Sequence, residues 1–573
     1  MKLFVGIFVS IAEYVLETIT SVWLLQYVVA SIESGIYYSE IIYRLAFIMI
    51  VCGAELLLKC YYENCIKEKG QVKLRAALEQ LFFDKAVDLD IEMFECSEHY
   101  TKVARATYYV KNISEKVFVT TCNTAGFFAM AISTAILLGN IDPRLMLFSL
   151  MGMPAAFAAM KYREVVSKQR REMEDSNRKK QYVGITLLKR ECAQEMKTTD
   201  IGAVLNQIDE EAVNANVGNI KFNSLKLGIW SILRDLFMID GVRLLCFIYV
   251  LYRLFVENDL QVSEFAVVFT AVMALVSRLR RIIENISSMK EYSIYAKDME
   301  EFMKECPKVV GTYSAEEEFH SLSVEQISFA YNEKLVLKNI SFDIKAGEKI
   351  CIVGKNGSGK STLIKLILRL YDPNVGEIKY NGKNIRGFLP HSYREHFSTV
   401  FQDYKLFSMS IGDNISMGGD VSDFDIKSAI KFAGLEKKLS DVDIHSMVIG
   451  REYDDAGMVF SVGEQQKLAI ARMRANSKDI YVLDEPSSAL DPIAEDELFK
   501  KMQIAALGKT TIFVSHRLSS VKYADKILVL DDGVLVESGT HDELMLHDGT
   551  YAKLFKEQAA YYIDSQEEVC EYE

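Results

Sequence analysis

The strongest constraint in this 573-residue chain is a glycine-rich loop between an apolar strand pattern and a helix pattern. The loop runs from Gly354 to Ser361 and reads GKNGSGKS. It follows Lys349–Val353, which reads as a buried strand, and precedes Thr362–Leu370, whose apolar spacing predicts a helix. Glycines in this setting let backbone N–H groups converge on phosphate oxygens, and the helix N-terminus adds a favourable dipole. The sequence therefore predicts a nucleoside triphosphate site in an α/β domain.

The two halves of the chain differ in composition. Hydrophobic residues make up 50% of the chain and charged residues 25%, but long apolar stretches are confined to roughly the first half. The net charge of −13 argues against a nucleic-acid partner, which calls for a basic face. The ten cysteines include no CxxC pair, so they indicate neither a zinc site nor a disulfide framework.

Six apolar stretches in the first half are candidates for membrane-spanning helices, which need about 20 mostly apolar residues. They lie near Phe4–Ser31, Ile41–Leu58, Val117–Leu138, Leu145–Met160, Leu227–Phe255 and Phe265–Ile286. Lys and Arg are concentrated in the loops after the second, fourth and sixth stretches, so we expect both termini and the nucleotide domain to be cytosolic. The first stretch is too long for a cleavable signal peptide. We expect the lipid bilayer to be a partner of the chain.

The two long gaps between these stretches are charged but keep helical periodicity. We therefore expect the helices to continue well into the cytosol. At their turns, Asp88–Tyr100 and Glu191–Asp200 are candidate contact elements for the nucleotide domain, and simple solvated helices are the alternative.

Several ionisable residues fall inside the apolar stretches, where an unpaired charge is costly. They are Glu13, Glu17, Glu55, Arg234, Asp235, Asp240 and Arg243. One interpretation is an acid-lined substrate path, and the other is internal pairing, for example between Asp240 and Arg243.

Polar residues end several strands of the second half. Tyr331 ends an alternating strand and is a candidate for stacking on adenine, although a strand tyrosine usually serves packing. Gln402 follows an apolar strand, and Asp484 and Glu485 close another; Asp484 suits Mg²⁺ and Glu485 suits polarising the attacking water. His516 follows a further strand and is either a γ-phosphate contact or a structural histidine.

Together these motifs resemble the nucleotide-binding domain of an ABC transporter, and six preceding spans resemble an ABC exporter half-transporter. The resemblance implies that Tyr331 is the adenine-stacking A-loop residue, Gln402 the Q-loop, Asp484 the Walker B aspartate, Glu485 the catalytic glutamate and His516 the switch histidine. It also implies catalysis by Glu485, His516 and Gln402, and Mg²⁺ held by Ser361, Gln402 and Asp484. The implied ATP contacts are Tyr331, Gly354, Asn356, Gly357, Ser358, Gly359, Lys360, Ser361, Thr362, Ser461, Gly463, Glu464 and the D-loop residue Asp491.

The signature loop departs from the family pattern LSGGQ. It reads Phe460-Ser-Val-Gly-Glu464, so Ser461 and Gly463 are kept while Val462 stands in place of glycine. A β-branched side chain there is expected to restrict the backbone and to crowd the nucleotide. Two interpretations follow: a homodimer that hydrolyses ATP at both sites, or a chain that pairs with a different subunit and has one weak site.

The expected fold is multidomain: an all-α six-helix transmembrane domain with long cytosolic extensions, followed by an α/β P-loop ABC ATPase domain. The expected boundaries are residues 1–305, a linker at 306–320, the nucleotide-binding domain at 321–560 and an acidic tail at 561–573. Residues 450–472 are similar to bacterial exporters of ribosomally made peptides, of the lantibiotic and bacteriocin type. The resemblance implies ATP-driven export of a peptide or amphipathic compound by a dimer that switches a cavity between inward- and outward-facing states. The alternatives are a regulatory subunit of a heterodimer and an exporter of lipids or drugs.

Overall fold

The computed structural model describes residues 2–18, 20, 24, 27–28, 31, 37–95, 97–147, 152–189, 192–237, 241–257, 262–452, 454–485, 500, 508–515 and 521–557. These form two compact units. The first comprises Met1–Asp88 and Ser97–Glu305, and the second comprises Leu89–Cys96 and Cys306–Glu573. The division after Glu305 falls where the sequence predicts the linker to begin. The second unit also includes most of the first candidate contact element.

The described residues of the first unit are almost all helical. Its helices are α1 (Lys2–Thr18), α2 (Tyr38–Tyr61), α3 (Glu68–Val87), α5 (Ser97–Tyr108), α6 (Ser114–Ile141), α7 (Gly152–Glu172), α8 (Glu174–Leu188), α9 (Ala193–Thr198), α10 (Ile201–Asp235), α11 (Gly241–Tyr252) and α12 (Val262–Lys304); α4 (Ile91–Glu95) belongs to the second unit. Short π-helical turns at Tyr62–Lys67, Tyr109–Ile113 and Arg253–Glu257 interrupt or extend these helices. At 35 and 43 residues, α10 and α12 are longer than the roughly 20 residues that a bilayer crossing requires. Their continuation into the cytosol stays a prediction.

Two helical runs in the described residues, Tyr38–Val87 and Lys102–Asn140, are long and apolar enough to cross a membrane by length and composition. They contain the second and third stretches predicted from the sequence. The first, fourth and fifth stretches include residues outside the described ranges, and the sixth lies in α12, where Arg278 to Arg281 interrupt the apolar sequence. The six-span arrangement therefore stays a prediction.

The core of the first unit forms where α6 packs against α1 and α12. Its fully buried side chains include Leu138, Val268 and Val272. Three of the charged groups within the predicted spans are paired inside the unit: the Glu13 carboxylate lies 2.5 Å from the Lys59 ammonium, and Arg234 lies 2.9 Å from Asp235. These pairs favour internal pairing over an acid-lined path, while Asp240 lies outside the described residues.

The second unit contains two sheets. The strands are β1 (Ser321–Tyr331), β2 (Lys334–Lys345), β3 (Lys349–Gly354), β4 (Val375–Tyr380), β5 (Lys383–Asn384), β6 (Phe397–Val400), β7 (Ile480–Asp484), β8 (Thr510–Val514), β9 (Lys526–Asp531) and β10 (Val534–Gly539). An antiparallel sheet has the order β2-β1-β4-β5, and a six-stranded sheet has the order β10-β9-β3-β8-β7-β6. In the larger sheet β9, β3, β8, β7 and β6 are parallel, and every residue of β7 and β8 is buried, as expected for parallel strands covered on both faces.

Helices of the second unit cover this sheet and carry the signature region. They are α13 (Lys360–Ile367), α14 (Pro390–Arg394), α15 (Ile411–Ser416), α16 (Asp423–Phe432), α17 (Glu436–Leu439), α18 (Val462–Ala475) and α19 (His541–Leu546). Because parallel strands end at one edge, the residues that follow β3, β6, β7 and β8 are brought together there. That edge holds the predicted site.

Candidate nucleotide-binding site

The loop between β3 and α13 has a backbone that requires glycine. Gly354 has φ +154°, and a Cβ atom at this position would lie 2.2 Å from the carbonyl oxygen of Leu530 on the neighbouring strand β9. Gly357 and Gly359 adopt φ +81° and +100°, conformations that other residues rarely adopt. The loop can therefore turn its backbone around a small anion before α13 begins.

Lys360 lies inside this loop and is 6% exposed. Its ammonium donates hydrogen bonds of 3.0 Å to the carbonyl oxygens of Gly354 and Lys355. Burial lowers the pKa of Lys360, while the nearby carboxylates of Glu485 and Asp484 act to raise it. The neighbouring Ser358 hydroxyl is buried and has no hydrogen-bond partner among the described residues. An unsatisfied buried hydroxyl beside an ammonium fits a phosphate oxygen as its partner.

Two carboxylates and an amide converge beside the loop. Asp484 ends β7 and is 5% exposed; burial raises its pKa, a hydrogen bond with Ser361 lowers it, and Glu485 raises it further. One oxygen of Asp484 has no hydrogen-bond partner in the described part of the chain. Gln402 donates from Nε2 to Oε2 of Glu485 at 2.9 Å. Glu485 itself has φ +50°, which turns the chain out of the sheet at this point.

These oxygen atoms suit a small hard cation. Hydroxyl, carboxylate and amide oxygens are the ligands that Mg²⁺ prefers when it also binds phosphate. Ser361, Asp484 and Gln402 supply them, and the orphaned oxygen of Asp484 is available. The residues present therefore fit the cation implied by the sequence.

Tyr331 lies at the end of β1 in an aromatic cluster. Its ring centroid is 5.4 Å from that of Tyr371 and 4.9 Å from that of Phe329, both edge-on. The Lys365 ammonium lies 5.8 Å from the Tyr331 ring centroid. Sequence reasoning missed Tyr371 and Lys365, because no spacing in the sequence links α13 to the end of β1.

Tyr371 and Lys365 also bind Glu95 at the end of the short helix α4. The Glu95 carboxylate accepts hydrogen bonds from the Lys365 ammonium, at 2.9 Å, and from the Tyr371 hydroxyl. Burial of Glu95 opposes ionisation, but the hydrogen bonds from Tyr371 and Lys365 outweigh it and lower its pKa. Ile91 on the same short helix packs against the core of the second unit. Helix α4 is thus fastened to the residues that support Tyr331.

The signature residues form the start of α18. Ser461 is the N-cap: its hydroxyl accepts from the Glu464 amide at 3.4 Å, and the Glu464 carboxylate accepts from the Ser461 amide at 2.8 Å. Lys438 lies 2.5 Å from the Glu464 carboxylate. Val462 is the first helical residue, has no positive φ, and is 63% exposed. The backbone at Val462 therefore does not require a glycine, and the expected crowding of the nucleotide stays a prediction.

The remaining predicted residues divide into two groups. Asn356 is exposed on the loop, Thr362 lies half-buried in the first turn of α13, and Gly463 lies in the first turn of α18. His516, the D-loop residue Asp491 and the acidic tail at 561–573 lie outside the described residues. The structure thus brings Lys360, Ser361, Gln402, Asp484 and Glu485 together, and makes no statement on the switch histidine or the D-loop.

Comparisons with known proteins identify this domain. Residues 337–488 match the family model described as ABC transporter. The chain is 34% identical over 327 residues to an ATP-dependent lipid A-core flippase of Vibrio vulnificus, covering 56% of this chain and 55% of the relative. It is 37% identical over 252 residues to a putative multidrug export ATP-binding/permease protein of Staphylococcus aureus, covering 44% of this chain and 43% of that protein. The chain thus matches about half the length of these relatives.

The fold extends over the whole chain. A bacterial Atm1-family ABC exporter with ATP bound superposes with a TM-score of 0.78 at 22% identity, covering 97% of this chain and 98% of that one. Residues 337–488 therefore form an ABC transporter ATPase domain. The chain as a whole has the fold of an ABC exporter half-transporter, with a helical N-terminal domain followed by an α/β nucleotide-binding domain. The predicted order of a helical domain followed by an α/β nucleotide-binding domain is confirmed, and residues 337–488 match the predicted family.

Proposed function

We propose that this chain is the half-transporter of an ATP-driven exporter, in which ATP binding and hydrolysis change the access of a transmembrane cavity. One observation carries the proposal: Lys360, Ser361, Gln402, Asp484 and Glu485 come from three separate segments and meet at one edge of a parallel sheet. A cluster that only stabilised the fold would not leave a hydroxyl and a carboxylate oxygen without hydrogen bonds beside a buried lysine that loop carbonyls hold. A triphosphate with its cation satisfies all three.

Each residue has a defined role in this proposal. Lys360 and the loop amides would bind the β- and γ-phosphates. Ser361, Asp484 and Gln402 would hold Mg²⁺, which would supply positive charge next to the phosphate oxygens. Glu485, oriented by the hydrogen bond from Gln402, polarises the attacking water. Tyr331 offers its ring to adenine. His516 and Asp491 complete the site as the resemblance to ABC transporters implies.

The chain is proposed to lie in the cell membrane with its nucleotide-binding domain in the cytoplasm and to act as a dimer. The loop of one chain and the Ser461–Glu464 region of the other would enclose each ATP. The exposed Val462 side chain would then face the partner's nucleotide rather than its own unit. We favour a homodimer; a heterodimer with one weak site is the second candidate, and Val462 is the observation in its favour.

The substrate is proposed to be an amphipathic compound. The relatives named as a lipid A-core flippase and a multidrug exporter support a lipid or drug, whereas the sequence near the signature region favours a peptide. All of these compounds combine an apolar body with polar groups. A transmembrane cavity can release such a compound when the cavity changes its own exposure to water.

The deciding experiment measures Mg²⁺-dependent ATP hydrolysis by the full chain, purified alone and placed in lipid. Glu485→Gln is expected to lower kcat by about 10²-fold or more, because the water loses its base. Glu395→Gln, at an exposed glutamate away from the site, is the matched control and is expected to leave kcat unchanged. An unaltered rate in Glu485→Gln would overturn the proposed mechanism.

The variant Val462→Gly separates the two dimer arrangements. If the homodimer is active, wild type hydrolyses ATP and Val462→Gly changes the rate by only a few fold. If wild type is almost inactive and Val462→Gly restores turnover, the side chain crowds the partner's nucleotide, and a heterodimer with a different chain becomes the better account.

A further inference from the structure

A second site is indicated by a cavity of about 640 Å³ within the first unit. It lies between the helical run Tyr62–Leu78 and residues Tyr109–Thr121, and its volume falls in the range of small-ligand sites. Most of its wall is apolar, formed by Ile66, Leu74, Leu78, Val117 and Phe118. No acidic residue lines it. None of these residues belongs to the nucleotide site.

Both walls contain a π-helical turn. The turn at Tyr62–Lys67 joins α2 to α3, and the turn at Tyr109–Ile113 joins α5 to α6. Such turns are rare and often mark functional positions, because each displaces the following side chains around the helix axis. Here the displaced side chains Tyr62, Ile66 and Tyr109 border the cavity. Two independent helices are thus distorted at the same cavity.

The cavity lies where both helical runs change from apolar to charged sequence. Before it, α2 is an apolar helix with no buried residue, and after it α3 carries Lys69, Lys73 and Arg75. On the other wall, Lys111 and Lys116 precede the apolar stretch that begins at Val117. In the proposed membrane arrangement, this change of character marks the cytosolic surface of the bilayer.

Two lysines border the mainly apolar wall. Lys67 is held only loosely within the chain, with its ammonium 3.7 Å from the Glu63 carboxylate. The structure records no ion pair for Lys73 among the residues it describes, and Lys73 is exposed. The two lie about 9 Å apart along the helix axis, and both line the cavity, so their flexible stems can turn toward one anionic group in it. An apolar groove with two cations at its polar end is complementary to an anionic amphiphile.

We propose that this cavity binds an anionic lipid of the cytosolic leaflet, with its phosphate between Lys67 and Lys73 and an acyl chain along the apolar wall. The inference rests on the membrane placement in the proposed function. It adds a bound lipid beside the helices, whether or not that lipid is also the exported substrate. A lipid there would hold the two distorted turns together.

The test measures lipid bound to the purified full chain by native mass spectrometry. The probes are phosphatidylglycerol and phosphatidylcholine with identical acyl chains, each alone and with excess inorganic phosphate. Wild type is expected to retain phosphatidylglycerol selectively, and inorganic phosphate is not expected to displace it. In Lys67→Gln/Lys73→Gln, retention is expected to fall by roughly fivefold for each lysine removed. The double variant Lys69→Gln/Lys111→Gln removes the same charge outside the cavity and is expected to retain the lipid.

A variant of the apolar wall tests the other half of the site. Leu74→Trp keeps both lysines and fills part of the cavity, so it is expected to lower retention of phosphatidylglycerol while the thermal midpoint stays close to that of wild type. Equal binding of the two lipids, equal loss in both double variants, or unaltered binding in Leu74→Trp would overturn the proposal. Displacement by inorganic phosphate would leave a simple anion site.

ATP hydrolysis by the same samples separates this inference from the proposed function. Selective lipid binding, with no ATP hydrolysis in either wild type or Val462→Gly, would reject the exporter and keep the lipid site. ATP hydrolysis without selective lipid binding would do the reverse.

Discussion

At the scale of single residues, the nucleotide site depends on backbone conformations as much as on side chains. The three loop glycines all have positive φ, but they differ in their surroundings. At Gly354 the backbone of Leu530 blocks a Cβ atom, whereas at Gly357 no heavy atom lies within 4 Å of one. The two positions therefore separate steric blocking from conformational preference.

Gly354→Ala is expected to destabilise the chain by about 3 kcal/mol and to abolish ATP binding, because β3 must move away from β9. Gly357→Ala is expected to cost about 1 kcal/mol, the preference against a left-handed backbone alone. Thermal unfolding of the full chain in detergent measures both, and each 1 kcal/mol corresponds to about 2–4 °C for a domain of this size. Equal shifts in the two variants would contradict the steric explanation.

The residues that could be read from the sequence are those whose chemistry is local. The loop from Gly354 to Ser361 is contiguous, and Asp484 with Glu485 directly follows a buried strand, so both motifs could be recognised without the fold. Lys365 and Tyr371 could not, because their contacts with Tyr331 and Glu95 arise only when β1, α13 and α4 pack together. The backbone at Val462 could not be judged either, since it depends on where α18 begins.

At the scale of elements, α4 has five residues, which are too few to form a stable helix without other contacts. It is held by Ile91, which packs against the core, and by Glu95, whose partners Lys365 and Tyr371 also contact the Tyr331 ring. An adenine base stacked on Tyr331 would therefore affect Lys365 and Tyr371, the side chains that hold α4. We expect ATP binding to tighten this helix.

Glu95→Gln is expected to increase hydrogen exchange of the backbone amides of residues 91–95 at pH 7, because the anion that accepts from Lys365 is lost. The matched control is Glu92→Gln, which removes only an exposed ion pair with Lys308 and is expected to change exchange little. Adding ATP is expected to lower exchange in wild type but not in Glu95→Gln. An unaltered segment in Glu95→Gln would contradict the proposed link to Tyr331.

The same ion pair predicts a pH dependence. The pKa of Glu95 is lowered below its ordinary value of 4.5, so its ionised form stabilises the folded unit. That contribution is complete above the ordinary pKa and is lost as the pH falls through the lowered folded pKa. The difference in protease resistance between wild type and Glu95→Gln is therefore expected at pH 7 and expected to disappear in strong acid. A difference that persists there would mean that shape, not charge, fastens α4.

At the scale of the whole molecule, the order of a helical domain before an α/β domain follows from composition and one motif. The order of strands in the larger sheet, β10-β9-β3-β8-β7-β6, does not, because β3 lies between strands that follow it by well over a hundred residues. The sequence also left open the path of the helices in the first unit, since all-apolar stretches have no polar face to fix their rotation. The proposed dimer would add one further level, in which two chains complete each site.

Two defective chains provide a test of that arrangement. In tagged dimers purified to contain one Lys360→Ala chain and one Ser461→Ala chain, both defects fall in one site and the other site is intact. Such dimers are expected to bind ATP tightly at one site. In the control, both substitutions lie on one chain and its partner is wild type, so each site carries one defect and binding is weaker. Equal ATP binding in the two preparations would contradict a head-to-tail dimer.

Helix α2 has a consequence for how the protein can be made. None of its 24 residues is buried, and side chains such as Phe47 and Leu57 are 67% and 71% exposed. Nothing in the described part of the chain covers these side chains, so the newly synthesised protein exposes a long apolar segment to water. We therefore expect synthesis in a membrane-free extract to yield a precipitate with a well-folded ATPase portion, and supplied liposomes or nanodiscs to rescue solubility without any change of sequence.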